Sequence, residues 1–207
     1  MSTFIPKLKK SLSSVPVIGP IARKIYRGFT GDPRAKLLSA LPKGSRCAEL
    51  GVWRGAFSQQ ILAEVKPKSL VLVDPWAFVP TFEDRWYGGL FAKSQSDMDA
   101  IHDAVAERFA ANSEVEIVRM KSDDFLSTTE MEFDWIYIDG DHSEEPVYRD
   151  LCLSWERVVP GGAVCGDDYH WLDSDGKLPV KAAVDRFVSE KNCKVRFFGA
   201  QFLIDRD

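Results

Sequence analysis

The 207-residue chain is long enough for one substantial core and short for two. Its 45% hydrophobic and 28% charged residues are ordinary for a globular protein, and a net charge of -4 argues against a general nucleic-acid binder, which would carry a basic excess. No apolar run is long enough to cross a bilayer and no signal-peptide core opens the sequence, so a cytoplasmic location is expected. Cys47, Cys152, Cys165 and Cys193 show no CxxC pairing and read as small buried hydrophobes in a reducing compartment.

In chain order, residues 1–31 form a basic arm with six Lys or Arg and no acid, broken by Pro6, Pro16 and Pro20. Such an arm can lie on an anionic membrane surface or an acidic partner. The reading taken is instead that it packs across its own domain or a neighbouring subunit of a homo-oligomer, because membrane binding needs a larger amphipathic face. From residue 32 to 207 a single domain is expected. It opens with a helix over Asp32–Leu41, stopped by Pro42 and Gly44.

Arg46–Leu50 reads as a short strand, followed by a turn holding Gly51 and Gly55 and a helix marked by Phe57, Ile61, Leu62 and Val65. A glycine-bearing strand-to-helix turn lets a ligand approach the backbone, and the helix N-terminus adds a positive dipole. The next strand, Leu70–Val73, ends in Asp74, 23 residues beyond Gly51, where an acid can accept both ribose hydroxyls of a nucleoside. The dinucleotide fingerprint G-x-G-x-x-G is not met, since Val52 and Trp53 stand in the turn and Trp53 would crowd a diphosphate.

An aromatic insertion at 75–91 follows, with no helical or strand period. It reads equally as a lid over an acceptor or as rings filling the domain's own surface or a dimer contact. Met98, Ile101, Val105 and Phe109 then mark a helix leading to a strand at Val115–Met120.

Two brief apolar runs, Trp135–Ile138 and Ala163–Cys165, read as buried parallel strands, with Val147, Leu151, Trp155 and Val158 at helical spacing between them. Each run ends in acids: Asp139 and Asp141 after the first, Asp167 and Asp168 after the second. Open parallel sheets bind ligands at the carboxyl ends of their strands, so both clusters should face one crevice. Converging carboxylates repel each other unless a cation or shared proton compensates, which makes a hard divalent metal the economical explanation. A helix at Pro179–Glu190 and strands Lys194–Phe198 and Gln201–Ile204 close the chain, and the two-residue gap between those strands reads as a hairpin.

The motifs Glu49-x-Gly51-x-x-x-Gly55, Asp74, IDGDH at 138–142, PGG at 160–162 and GDDYHW at 166–171 resemble those of class I S-adenosylmethionine-dependent methyltransferases. Within that class they are most similar to the small-molecule O-methyltransferase branch that includes the macrocin O-methyltransferase-like enzymes. The resemblance runs from about Ser45 to the last residue. It implies a doubly wound, mostly parallel seven-stranded α/β sheet with an antiparallel C-terminal hairpin strand. It further implies that Glu49, Gly51, Val52 and Gly55 line S-adenosylmethionine, that Asp74 holds its ribose and that Asp123 approaches its adenine.

The chemistry expected is methyl transfer to a hydroxyl of a small acceptor, a sugar or similar metabolite, with Mg²⁺ or Mn²⁺ held by Asp139, Asp167 and Asp168. By the same resemblance His142 takes the proton, with Asp141 the alternative base or a water-mediated ligand. His170 and Tyr169 are further candidates for substrate contact. No Asn-Pro-Pro-Tyr or Asp-Pro-Pro-Tyr occurs, which argues against amide or base-amino methylation. Competing readings are an NAD-dependent oxidoreductase and a non-catalytic binding or membrane-surface module on the same scaffold.

Overall fold

The computed structural model describes residues 32–80 and 92–207; the arm at 1–31 and the expected lid tip at 81–91 lie outside them. Helix α1 (Pro33–Ala40) starts under an Asp32 cap, whose carboxylate accepts from the Arg34 amide at 3.2 Å, with Pro at the first helical turn. There follow β1 (Arg46–Leu50), α2 (Ala56–Val65), β2 (Ser69–Asp74), α3 (Gln95–Phe109) and β3 (Val115–Arg119). The remaining elements are α4 (Ser122–Thr128), β4 (Phe133–Ile138), α5 (Glu144–Arg157), β5 (Val158–Gly166), α6 (Pro179–Lys191), β6 (Val195–Phe198) and β7 (Gln201–Asp205).

The seven strands lie in the order β3-β2-β1-β4-β5-β7-β6, with β1 to β5 parallel and β7 antiparallel to both β5 and β6. This is the expected doubly wound sheet with its C-terminal hairpin. Alternation along the strands divides the core into two layers. Cys47, Leu70, Leu72, Trp135, Tyr137, Cys165 and Leu203 pack under α1, α2 and α3. Ala48, Leu50, Val71, Ile136, Ile138, Val164 and Ile204 pack under α4, α5 and α6. Both layers are needed because a parallel sheet is apolar on each face.

Two elements differ from expectation. Val158 does not continue the helix but opens β5, which begins five residues before the predicted Ala163 and pairs Val158 with Phe133 across an irregular register. Helix α4 was not predicted; at seven residues it is too short for a helical period, and its Phe125 and Leu126 are its buried residues. Among the cysteines, Cys47 and Cys165 are buried, whereas Cys152 and Cys193 are half-buried; all four are free thiols. No helix among the described residues is long and apolar enough to cross a membrane.

Candidate active site

Strand order reverses between β1 and β4, whose neighbours lead away in opposite directions, and in open parallel sheets this switch point at the carboxyl ends of the strands is where a ligand crevice lies. Gly51 leaves β1 at φ +90°, donating its amide to the Val73 carbonyl at 2.8 Å while the Asp139 amide donates to Leu50 at 2.8 Å. A Cβ at Gly51 would meet the Asp139 carbonyl oxygen at 2.2 Å, so the glycine is demanded first by the close passage of two strand ends. Gly55, at φ +71°, caps α2 with its Cβ position 2.9 Å from the Phe109 ring.

Asp74 is 1% exposed and organises this turn. Its Oδ2 accepts from the Val52 and Trp53 amides at 3.1 and 2.9 Å, and its Oδ1 from the Trp76 amide at 2.8 Å. Trp76 is fully buried and donates its indole N–H to the Trp53 carbonyl at 2.9 Å. The start of the aromatic insertion is therefore core, while Phe82, Trp86, Tyr87 and Phe91 lie outside the described residues. Glu49 is buried on the face below, accepting from the Ser58 hydroxyl at 2.5 Å. Burial pushes its carboxyl up to about 8, against the pull of that hydrogen bond.

Across the crevice stand the acids of β4 and β5. Asp139 and Asp167 do not face each other bare: Arg34, reaching over from α1, donates Nη2 to Asp139 Oδ2 at 2.7 Å and to Asp167 Oδ2 at 2.6 Å. Its Nε also reaches Asp167 Oδ2 at 3.1 Å, and the guanidinium carbon lies 4.7 Å from the Phe57 ring centroid. Burial opposes the charge on Arg34, but Tyr137, Asp139 and Asp167 hold its pKa above the usual arginine value. Sequence reasoning missed this residue, since α1 carries no motif.

His142 lies beyond the arginine, its Nε2 3.3 Å from Asp168 Oδ2 and 3.7 Å from Asp139 Oδ1. Its ring meets Trp171 at 5.2 Å between centroids. Potential ligand atoms of Asp139, His142 and Asp168 all lie within 4.8 Å of one another. Asp168 occupies the left-handed region at φ 61°, an unusual backbone state that turns it toward the histidine's side of the crevice rather than along the strand. Burial, then the charge of Asp167, pushes Asp168 up to about 6, and burial also raises Asp139.

The other predicted residues stand as follows. Asp141 is exposed and accepts from the Ser143 amide at 2.8 Å, shaping the entry to α5. Asp123 sits in the first turn of α4, 3.0 Å from Arg149. Tyr169 is buried with its hydroxyl donating to Asp185 at 2.7 Å, and His170 is exposed beside it.

A reversed strand order beside a glycine turn, an acid closing β2 and a terminal antiparallel hairpin are the features of the class I methyltransferase fold. A family model described as a methyltransferase domain matches residues 48–169, and the chain belongs to that family. Similar solved structures include the N-methyltransferase NodS from Bradyrhizobium japonicum WM9, at TM-score 0.56 and 13% identity over 91% of this chain and 98% of that one. The O-methyltransferase NovP matches at TM-score 0.55 and 18% identity over 88% and 79% of the two chains. At these identities they show the shared fold. An uncharacterised protein of Acanthamoeba polyphaga mimivirus is 26% identical over 142 residues, covering 69% of this chain. The match spans 58% of that relative's length.

Proposed function

We propose that this protein transfers the methyl group of S-adenosylmethionine to a hydroxyl of a small molecule, a sugar or comparable metabolite, beside a divalent cation. The observation that carries this reading is the convergence of Asp139, His142 and Asp168 next to the Gly51 turn.

The donor set fits a hard cation. Two carboxylate oxygens and an imidazole nitrogen lie close enough together to share one ion. Arg34 offsets only part of the charge of the three neighbouring carboxylates, and the upward push on Asp139 and Asp168 is the strain a dication would relieve. Bound there, Mg²⁺ or Mn²⁺ would lower the pKa of a coordinated hydroxyl. Asp139, His142 and Asp168 would hold the ion, and Asp141, exposed at the same loop, would receive the hydroxyl proton. This division moves the imidazole from base to ligand because its Nε2 is already turned to both acids.

The cofactor's side of the crevice fits as well. A Cβ at Gly140 would meet only the Leu50 carbonyl, at 4.0 Å, so the floor beside the β4 end is open. S-adenosylmethionine supplies an electrophilic methyl group on a sulfonium. Gly51, Val52 and Gly55 would line its amino-acid end, Asp74 would share its oxygens between the turn amides and the ribose, and Asp123 would stand toward the adenine. The missing middle glycine and the C-terminal hairpin weigh against the NAD-dependent reading.

Thermal melts with S-adenosylmethionine, S-adenosylhomocysteine and NAD⁺ test the cofactor. At ten times the dissociation constant the ligand should stabilise by roughly 1.4 kcal/mol. A response to NAD⁺ alone would overturn the reading. Labelled-methyl transfer to hydroxyl-bearing and amine-bearing acceptors tests the oxygen; product on nitrogen only would remove it.

A further inference from the structure

Asp167, one of the three expected metal ligands, is already engaged by other groups in the structure. An ionised carboxylate offers about four acceptor directions. Four donors fill them: Arg34 Nε and Nη2 on Oδ2, at 3.1 and 2.6 Å, and the Asp168 amide at 2.7 Å with Gln201 Nε2 on Oδ1. Gln201 is itself fixed, buried at 3% exposure with its Oε1 accepting from the Tyr137 hydroxyl at 2.7 Å. Asp139 is divided differently, with Oδ2 on Arg34 and Oδ1 toward His142. The carboxylate oxygens that face the imidazole are thus other than those that hold the guanidinium.

We propose that Arg34 is a positioning residue that keeps Asp167 as its own counter-ion and so leaves Asp139, His142 and Asp168 to take the divalent cation. The inference rests on the metal-assisted reading above and gives it a ligand set. Phe57 under the guanidinium and buried Leu37 and Leu38 on α1 fix the arginine's approach, so the cation comes from a helix outside the strand-and-turn motifs. Its charge also limits how much further positive charge the crevice accepts, and with Arg34 on its Oδ2 Asp139 would have Oδ1, the oxygen nearer His142, to offer a metal.

The test is Mn²⁺ binding to the full chain, followed by electron paramagnetic resonance of free Mn²⁺, with kcat and KM alongside. Asp139→Asn, Asp168→Asn and His142→Ala should each weaken Mn²⁺ by about a hundredfold, and Asp167→Asn by less than about tenfold. Arg34→Gln should tighten Mn²⁺ at least about threefold, by removing a competing charge and releasing Asp167, while kcat falls with KM little changed. Arg34→Lys, which restores the charge without the fork, should return the Mn²⁺ affinity toward wild type but not kcat. Circular dichroism melts select the folded variants, and the Lys variant carries the test if Gln unfolds the chain. Asp167→Asn losing Mn²⁺ as Asp168→Asn does, in a wild type that binds it, overturns this inference alone. A wild type that binds no Mn²⁺ yet still binds S-adenosylhomocysteine overturns the metal reading and this assignment together.

Discussion

A Cβ on Gly51 would sit 2.2 Å from the carbonyl oxygen of Asp139 and 2.7 Å from the Gly140 Cα, so the glycine turn after β1 and the first acid after β4 are in backbone contact. The two halves of the crevice cannot move apart or together without moving that contact. Gly51→Ala adds an atom against backbone, which cannot swing away, at a φ of +90° that L-residues avoid. The expected cost is more than about 3 kcal/mol, read as a fall in the urea midpoint or failure to accumulate folded protein. A melting temperature equal to wild type would show that the strand ends separate easily.

Asp74 should matter to the fold before it matters to any ligand. Asp74→Ala leaves the Val52, Trp53 and Trp76 amides without their acceptor and should cost about 2–4 kcal/mol of stability. Asp74→Asn keeps an oxygen and should lose less. Calorimetry with S-adenosylhomocysteine on the folded Asn variant separates the roles: weakened binding at near-normal stability identifies a ribose contact, and unchanged binding confines Asp74 to the turn.

Glu49 gives a pH signature. Its carboxyl is raised in the folded protein to about 8, above the roughly 4.3 of an unfolded glutamate. The folded state therefore holds a proton that the unfolded state has released between those values. Stability is full below the lower pKa and is lost as pH rises through the upper one. Glu49→Gln removes that dependence and should raise the unfolding free energy more at pH 8.5 than at pH 5, by a difference of order 2–4 kcal/mol, read from urea unfolding at the two pH values. Parallel pH profiles for wild type and variant would place the titration elsewhere.

Metal removal should abolish turnover and spare the cofactor site. In excess EDTA methyl transfer should fall by roughly two to four orders of magnitude, while S-adenosylhomocysteine still shifts the melt, because the Gly51 turn and Asp74 use no metal. Mg²⁺ or Mn²⁺ added back should restore the rate. Full activity in EDTA would leave Asp141 or His142 to act without an ion.

The sequence by itself determined where most of the strands lie, and the family resemblance their order in one sheet. Arg46–Leu50 and the acids closing β4 and β5 were legible because short apolar runs between Gly and Asp report local burial, and the Gly199-Ala200 gap fits only a hairpin. Strand ends in one parallel sheet must share a side, so Asp139, Asp167 and Asp168 could be brought together from spacing alone. Only the tertiary structure decided who partners whom. Arg34 meets Asp139 and Asp167 across 105 and 133 residues, and nothing in an eight-residue helix indicates what lies beyond its end. Periodicity tells which face of an element is buried, not which side chain from another element will face it. The same limit hid the start of β5 at Val158, which satisfies a helical spacing yet pairs with Phe133. It also hid the reason for Gly51: a turn needs a glycine in the sequence, but only the packing of β1 beside β4 shows that the missing side chain's space belongs to Asp139.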